Sequence, residues 1–500
     1  MAIVSIDLGT TNIKVAVYNS NLKLLSMDSE NVKYLRDEDM VEFDAEQYFD
    51  TLLSTIQRCC LSSSISMPYD ITQIVLTGQA ESLVVVDKNG KSLRNGISWL
   101  DMRSKEECEE LKNAFNGQMC YRTTGQPAII PTWPITKILW LRRHEPEIYS
   151  QVNKYLLLKD FIQFRLTGKI YGEYSIYNFS HYFDITRKKY WDDILSYCGV
   201  KEEQLPPLIE PCTNIGRITK AVAEKLNCNL ETTVNVGTLD HFAGMIGTGN
   251  IKEGIISEST GTVLSIATMI KSPVFDIESV PCHYGPFKDT YVLLPVCESG
   301  GVSLEWFKKN FIADQSYGEI DKAFQKKPIP NEIIFLPYIT GVNAPDYNEN
   351  ASGVFYGIKV KHDKLDFALA VMEGVSHLLK ENIDCIEKSG IHTKTVISTG
   401  GGARSEIWSQ LKADITGYTV AIPENEEAAC LGAAMIGAVS EGIFRDYTEA
   451  VEKCVSIKKL YHPNDDEKFR KRHELFRMLY NQICPVYEYE YDIENSKDRN

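Results

Sequence analysis

The feature that most constrains the fold is a strand–turn–strand pattern that occurs twice, about 250 residues apart. The first copy has an apolar run at residues 3–6, a polar turn with one glycine at 7–12 and an apolar run at 13–18. The second copy keeps this order, at residues 254–256, 257–262 and 263–267. Apolar runs separated by hydroxyl-rich turns are typical of paired strands. Two similar openings therefore indicate a duplicated architecture, although sequence identity between the halves is too low to define a repeat.

The segments between these copies predict alternating strands and helices. We expect a helix at residues 45–61, buried strands at 74–76 and 83–86, and a hairpin turn at 87–90. Residues 104–230 have a mostly helical pattern. This alternation predicts the α/β class.

Chain length predicts more than one domain. A chain of 500 residues is too long for one ordinary hydrophobic core. Gly244, Gly247 and Gly249 cluster just before the second copy of the pattern. We therefore place the boundary there and predict domains at residues 1–245 and 246–500.

Composition narrows the class of protein. The chain has 53 Lys and Arg against 68 Asp and Glu, a net charge of −15, which argues against a nucleic-acid partner. Residues 1–6 do not resemble a signal peptide, and no apolar stretch approaches the roughly 20 residues of a membrane helix. The sequence therefore predicts no membrane partner. The 13 cysteines form no C-x-x-C pair, which favours reduced core thiols in a cytoplasmic protein.

The two turns carry groups suited to a phosphate chain. Asp7-Leu8-Gly9-Thr10-Thr11 combines small residues, hydroxyls and backbone N–H donors with a carboxylate suited to Mg²⁺. Ser259-Thr260-Gly261-Thr262 supplies the same donors without the carboxylate. Each turn by itself is more typical of an ordinary hairpin. One in each domain, facing across a cleft, predicts a nucleotide clamp without the Walker A spacing.

A third motif and a fourth complete a candidate site. The strand at 396–399 runs into Gly400-Gly401-Gly402, where a flat ring could lie on the backbone; a loose strand-to-helix turn is the alternative. The strand at 234–239 ends at Asp240, which could accept a proton from a substrate hydroxyl or could only cap a helix. The adjacent His241 should point to the other side.

The most specific motifs lie elsewhere, and they resemble the FGGY family of carbohydrate kinases. Gly353-x-Phe355-x-Gly357-Ile358, followed by residues 366–374, fits the C-terminal signature of that family throughout. Lys137-x-x-Trp140-Leu141 fits the N-terminal signature, with Thr132 as a departure. The resemblance covers about residues 3–445.

The resemblance implies a fold, a reaction and a set of site residues. It implies two actin-like (RNase H-like) α/β domains flanking a central cleft for ATP and sugar, with Mg²⁺ at Asp7 and Asp240 as general base. The sugar would be a small-molecule substrate that accepts a phosphoryl group on a hydroxyl. The positions that match the ATP- and phosphate-binding residues are Thr10, Thr11, Lys14, Thr260, Gly261, Thr262, Gly301, Glu305, Gly401, Gly402 and Ser405.

Substrate selection is less determined by the resemblance. The positions that match the sugar-binding walls are Gln79, Glu81, Trp99, Asp101 and Arg103, together with Asp240. Glu81 resembles the glycerol kinase arrangement, whereas xylulokinases usually carry Met-His in this segment. The sugar therefore stays open, with a pentulose such as xylulose first and gluconate or another polyol next.

Two other interpretations and the assembly also stay open. An actin-like protein that binds ATP as a switch, without sugar phosphorylation, would not need a carboxylate at position 240. A filament-forming or chaperone ATPase would lack the sugar-kinase signatures. A homodimer is one assembly open to the chain.

Overall fold

The computed structural model describes residues 1–63, 70–275, 280–324, 327, 329–464 and 466–497. The strands of the first half are β1 (Ala2–Leu8), β2 (Asn12–Asn19), β3 (Leu24–Asn31), β4 (Leu35–Asp37), β5 (Met40–Phe43), β6 (Ile71–Gly78), β7 (Leu83–Val86), β8 (Gly96–Ile97), β9 (Lys154–Leu157), β10 (Gly172–Glu173), β11 (Phe183–Asp184), β12 (Lys189–Tyr190), β13 (Leu208–Ile209), β14 (Asn214–Arg217) and β15 (Thr233–Leu239). Its helices are α1 (Ala45–Ser62), α2 (Lys105–Ala114), α3 (Gly117–Thr124), α4 (Pro134–His144), α5 (Pro146–Gln151), α6 (Leu158–Thr167), α7 (Tyr174–Tyr177), α8 (Asp192–Cys198), α9 (Lys220–Leu226) and α10 (Asp240–Thr248).

The second half continues the alternation. Its strands are β16 (Ile255–Thr260), β17 (Leu264–Ile270), β18 (Cys282–Tyr284), β19 (Tyr291–Leu293), β20 (Val296–Cys297), β21 (Ile334–Leu336), β22 (Val354–Tyr356), β23 (Thr395–Thr399), β24 (Thr419–Pro423) and β25 (Ile457–Tyr461). Its helices are α11 (Gly301–Phe311), α12 (Tyr317–Phe324), α13 (Lys364–Glu387), α14 (Glu406–Thr416), α15 (Ala428–Ser440), α16 (Tyr447–Cys454) and α17 (Glu467–Lys497).

Two mixed sheets repeat one strand order. The first runs β14-β15-β6-β1-β2-β3, and the second runs β18-β19-β17-β16-β23-β24-β25. In each, an antiparallel pair (β1 with β2, β16 with β17) lies beside strands that run parallel to its first member (β6 and β15, β23 and β24). The predicted duplication is therefore confirmed at the level of topology.

The regular structure of the segment from residue 104 to 230 is predominantly helical, as predicted, with short strands that were not predicted. It contains α2 to α9, but it also contains the short strands β9 to β14. Strands of two to four residues are too short to show a period-2 pattern, so sequence periodicity does not reveal them. The predicted strands at 74–76 and 83–86 and the helix at 45–61 are confirmed as parts of β6, β7 and α1.

Two closely packed helices, α10 and α15, connect the two halves of the chain. α10, at the end of the first half, crosses α15 from the second half so closely that a Cβ on Gly247 would lie 1.9 Å from the Ala428 carbonyl oxygen. A Cβ on Gly432 would lie 1.8 Å from the Ala243 carbonyl oxygen. α15 also packs on the first sheet, where Gly437 faces Ile3. Only glycine permits this crossing, which lies next to the strand ends that carry the site.

The cysteine side chains and the hydropathy of the helices bear on two further predictions. All 13 cysteines are free, and 10 of them are buried, so the predicted core thiols are confirmed. Among the described residues, no helix is both long and apolar enough to cross a membrane.

Candidate active site

The first turn, between β1 and β2, packs directly against the predicted sugar wall. The Trp99 indole N–H donates to the Thr10 hydroxyl at 2.9 Å, and the Gln79 amide donates to the Gly9 carbonyl at 3.2 Å. Tyr34 also donates to the Thr10 carbonyl at 3.0 Å. Thr11 is exposed at the tip of the turn. The structure thus brings the predicted phosphate turn and sugar wall into contact.

Two carboxylates, those of Asp7 and Asp240, lie near each other beside this turn. Asp7 lies at the end of β1, and its Oδ1 atom is buried and has no hydrogen-bond partner among the described residues. Burial, and secondly the negative charge of Asp240, raise the pKa of Asp7 to about 7. An unpartnered buried oxygen next to a second carboxylate is the environment that a hard cation stabilises. The donor set therefore fits Mg²⁺.

Asp240 begins α10 directly after β15. Its Oδ1 accepts a hydrogen bond from the His241 backbone N–H at 2.6 Å, and no hydrogen bond is recorded for its Oδ2 in the described structure. The Asp240 residue is partly buried whereas His241 is exposed. The carboxylate therefore offers one oxygen for a substrate proton, as its prediction as a base requires.

Lys14 connects the first turn to the second half of the chain. Its Nζ forms an ion pair with Glu427 Oε2 at 2.7 Å, just before α15. Both side chains are about one-third exposed, so the pair lies where a phosphate could compete for the ammonium group. The role of Lys14 in phosphate binding stays a prediction.

The second turn, between β16 and β17, rests on a buried ion pair. Lys412 Nζ lies 2.6 Å from Glu258 Oε1, and the two side chains are 1% and 0% exposed. Thr260 donates its hydroxyl proton to Glu258 at 2.8 Å and lies 2.8 Å from Lys412 Nζ. This arrangement fixes the Thr260 side chain beneath the turn.

Two glycine-rich segments, residues 300–301 and 400–402, converge on this second turn. A Cβ on Gly301, at the start of α11, would lie 2.4 Å from the Gly261 carbonyl oxygen. A Cβ on Gly400 would lie 2.8 Å from the Thr260 carbonyl oxygen, and one on Gly402 would lie 2.8 Å from the Thr260 Cβ. Backbones approach this closely only without side chains. The structure therefore gathers the predicted nucleotide segments in one place.

The other predicted nucleotide positions lie around this cluster. Gly401 and Thr262 are exposed, and Glu305 is exposed on α11. Ser405 caps α14, because its hydroxyl accepts the Trp408 N–H and donates to Asp321 at 2.7 Å. The Ser405 hydroxyl is therefore engaged in the protein, and its role at the nucleotide stays a prediction.

Replacing Lys412 with methionine should strongly destabilise the protein. The change leaves the Glu258 carboxylate buried without its counter-ion, which typically costs about 3–5 kcal/mol. We expect a clear fall in the urea midpoint, measured by circular dichroism. Lys459→Met is the matched control, because Lys459 pairs with Glu406 at the same 2.6 Å distance but on an exposed surface. That change should cost less than about 1 kcal/mol, and equal midpoints for the two variants would contradict the role of burial.

Glu81 is held in an unusual backbone conformation on the predicted sugar wall. Its φ is +69°, in the left-handed region, and its Oε2 atom is buried without a hydrogen-bond partner among the described residues. Burial raises the pKa of Glu81, and the nearby Lys137 charge opposes that shift. Strain and an unsatisfied buried acceptor are features that functional sites retain.

Asp101 and Arg103, both predicted at the sugar wall, bond to each other and to neighbouring residues. Asp101 is fully buried, and it accepts hydrogen bonds from the Val41 N–H at 2.6 Å and from Arg103. The Arg103 side chain is 2% exposed, pairs with Glu42 at 2.7 Å and stacks on Trp140. Arg103 Nε and Nη2 donate to Asp101 and Glu42, so the pair stabilises the loop that follows Trp99. Contact of Asp101 and Arg103 with a sugar stays a prediction.

Several residues that pack behind the site were not among the predicted site residues. Lys137 and Trp140 belong to the N-terminal signature, and they lie against Glu81 and Arg103 respectively. Signature spacing alone could have suggested a structural role for them. The Lys412–Glu258 pair joins residues 154 positions apart, and no sequence signal indicates it.

Comparisons with known proteins decide the family. The model of the FGGY family of carbohydrate kinases, N-terminal domain, matches residues 2–247, and that of its C-terminal domain matches residues 256–441. The chain belongs to the FGGY family of carbohydrate kinases. It is therefore a phosphotransferase that uses ATP as its phosphate donor, and the predicted class of enzyme is confirmed.

This kinase is similar to proteins named for two sugars. It is 29% identical to the xylulose kinase of Bacillus subtilis (strain 168) over 484 residues, 96% of each chain. The ligand-bound xylulose kinase structure from Lactobacillus acidophilus is 26% identical, with a TM-score of 0.91 over 98% of this chain and 99% of that one. The gluconate kinase structure from the same organism is 27% identical, with the same TM-score and coverage. The predicted two-domain actin-like fold is confirmed.

Proposed function

We propose that this kinase transfers the γ-phosphoryl group of ATP to a hydroxyl of a neutral pentulose, with xylulose as the leading substrate and Asp240 as general base. The observation that carries the proposal is the position of Asp240. This carboxylate lies near Asp7 and the first phosphate turn. Its Oδ1 accepts the His241 N–H, and its Oδ2 makes no hydrogen bond within the described residues. Phosphoryl transfer depends mainly on such positioning.

Charge on the sugar wall favours a neutral acceptor over a sugar acid. Arg103 is neutralised by Asp101 and Glu42, and Lys137 is fully buried, donates to the Ser98 carbonyl at 2.8 Å and faces Glu81. Among the described residues of this wall, each Lys or Arg is thus already engaged. A gluconate carboxylate would lie near Asp240 and Glu81 without a free cation to neutralise it, and an uncompensated charge in a partly buried site is costly.

Glu81 suits a sugar hydroxyl. A carboxylate accepts hydrogen bonds from vicinal hydroxyls, and Glu81 Oε2 has a vacant acceptor position. The Trp99 backbone N–H donates to the hydroxyl of the next residue, Ser82, at 3.1 Å, and its partly buried indole is fixed through its bond to Thr10. These groups supply recognition of a polyol chain, and relatives named xylulose kinase support the assignment of a pentulose.

We also assign Mg²⁺ to Asp7. Its orphaned Oδ1 and its carboxylate neighbour satisfy the donor chemistry that this ion prefers. When bound, Mg²⁺ neutralises charge on the phosphate oxygens of the nucleotide. We further assign sugar binding and the first phosphate motif to residues 1–245 and nucleotide binding to residues 246–500. The sugar wall lies in the first part, and the glycine-rich segments at 300–301 and 400–402 lie in the second.

Side-by-side kinetics of the wild type test the choice of sugar. Initial rates of ADP formation with D-xylulose, D-ribulose, gluconate, glycerol and erythritol give kcat/KM for each acceptor. We expect a pentulose to exceed gluconate by at least about 100-fold, which corresponds to about 2.7 kcal/mol of charge repulsion and lost contacts. A higher kcat/KM for gluconate than for either pentulose would overturn the proposal.

Replacing Glu81 with glutamine should lower the selectivity of the kinase for a pentulose over gluconate. The variant removes the negative charge that Glu81 carries in its ionised form and weakens acceptance of sugar hydroxyls. We expect kcat/KM for the preferred pentulose to fall about 10- to 100-fold, with a smaller fall for gluconate and an unchanged KM for ATP. Glu42→Gln is the control for charge at a distance, because Glu42 pairs with Arg103 behind the wall. Equal losses for both sugars would contradict contact between Glu81 and the acceptor.

A further inference from the structure

A second buried ion pair lies beneath the strand end that carries Asp240. Lys159 Nζ on α6 is 2.6 Å from Glu173 Oε1 on β10, and both side chains are 1% exposed. Glu173 also accepts the Ser175 backbone N–H at 2.7 Å, which starts the short helix α7. Paired and hydrogen-bonded in this way, the two buried charges are mutually satisfied and rigidly placed.

The surroundings fix the direction of the Ser175 hydroxyl. Its oxygen lies 2.7 Å from Glu173 Oε2, and a carboxylate paired with Lys159 only accepts, so Ser175 donates its proton there. The Thr238 hydroxyl, 2.8 Å away, must then donate to Ser175. The Leu239 backbone N–H donates to the same oxygen at 3.2 Å. The one donor and the two acceptor positions of this hydroxyl are therefore all used.

These bonds fix the two residues that precede Asp240. The Thr238 carbonyl accepts the Thr77 hydroxyl at 2.9 Å, which ties the same point to β6. Just before it, Gly237 has φ +58°, and a Cβ there would lie 1.8 Å from the Leu76 carbonyl oxygen. β15 therefore bulges between Asn235 and Thr238, and its pairing with β6 resumes at Thr238 and Leu239. Side-chain hydroxyls add to the backbone ladder at this resumed end of the strand.

We propose that Ser175 is a positioning residue for Asp240, held in place by the Lys159–Glu173 ion pair. The proposal rests on the assignment of Asp240 as general base. Ser175 does not touch the substrate; it fixes the Leu239 N–H and so the backbone from which the Asp240 side chain extends. A general base must lie within hydrogen-bond distance of the proton it accepts, and small displacements are costly.

The test replaces Ser175 with alanine and measures kcat separately from KM. We expect kcat for the preferred sugar to fall about tenfold, while KM for ATP and the dissociation constant of a non-hydrolysable ATP analogue stay within about twofold. Ser180→Ala is the matched control, because Ser180 is equally buried, accepts the Tyr182 N–H at 3.2 Å and donates to Tyr177 at 2.7 Å. It should lower the thermal midpoint without lowering kcat, since its bonds do not reach the strand end.

A second variant covers a folding defect in Ser175→Ala. Ser175→Cys keeps the shape of the side chain but provides only a weak donor and acceptor, so a folded protein with reduced kcat is expected. A wild-type kcat in the folded cysteine variant, or equal kcat losses in Ser175→Ala and Ser180→Ala, would overturn the proposal. Asp240→Asn, measured in parallel, separates a failure of the positioning role of Ser175 from a failure of the base role of Asp240. If that variant is inactive while the Ser175 variants turn over normally, only the positioning role fails; if it stays active, the base assignment fails first.

Discussion

Asp240→Asn should lower kcat for sugar phosphorylation about 1000-fold and leave ATP binding intact. An amide has nearly the same shape as the carboxylate but cannot accept the hydroxyl proton as the acceptor attacks phosphorus, and general base catalysis typically contributes 10²- to 10⁴-fold. The measurement is ADP formation at saturating sugar, together with the dissociation constant of a non-hydrolysable ATP analogue by calorimetry. We expect that constant to change by less than about threefold.

A helix-capping role for Asp240 makes the opposite prediction. An acidic residue at the start of a helix stabilises the helix dipole by typically 0.3–1 kcal/mol and has no effect on chemistry. Asp192→Asn is therefore the matched control, because Asp192 starts α8 as Asp240 starts α10, yet its side chain is 65% exposed and pairs with Lys189. We expect normal kcat in that variant. Near-normal turnover by Asp240→Asn would show that Asp240 has a structural role and is not the general base.

Asp7→Asn should raise the Mg²⁺ concentration needed for half-maximal activity about 10- to 100-fold. The asparagine side chain keeps one oxygen but loses the negative charge that attracts a hard cation. Activity is measured in a Mg²⁺ titration at constant free ATP. The Asp192→Asn variant serves again as the control, and an unchanged titration in Asp7→Asn would contradict the metal assignment.

The same substitution should not destabilise the protein without ligands. Burial and the Asp240 charge raise the pKa of Asp7 from 3.8 to about 7, so stability falls as the pH rises between these values, and the full cost of ionising Asp7 is present above pH 7. The neutral asparagine removes this cost, and we expect an equal or higher thermal midpoint at pH 8. If the Asp7→Asn variant loses activity but keeps or gains stability, Asp7 is retained for function and not for stability.

Much of the site was predictable because phosphate chemistry restricts local sequence. The turns at Gly9 and Gly261 require small residues and hydroxyls in short runs, and a short run is what a sequence shows directly. The order of strands around them follows from the same pattern, since each turn opens a sheet of equivalent topology. The structure places Asp240 near Asp7, and their shared role in one reaction stays a prediction.

The contacts that hold the site were not predictable, because they join distant positions. Lys412 with Glu258, and Lys159 with Ser175 through Glu173, are side-chain networks that only the folded chain assembles. The sequence also cannot separate a residue that lines a wall from one behind it. Trp99 reaches the phosphate turn, whereas Arg103, four positions later, turns inward to Asp101.

The most direct test of the account is the stimulation of ADP formation by sugar. Wild-type protein with saturating MgATP is assayed first without an acceptor and then with D-xylulose, D-ribulose or gluconate, and the phosphorylated product is identified by ³¹P NMR. The account predicts at least about 100-fold stimulation by a pentulose, a sugar phosphate equimolar with ADP, and weaker stimulation by gluconate. ATP hydrolysis that none of these sugars stimulates, with inorganic phosphate as the product, would contradict it.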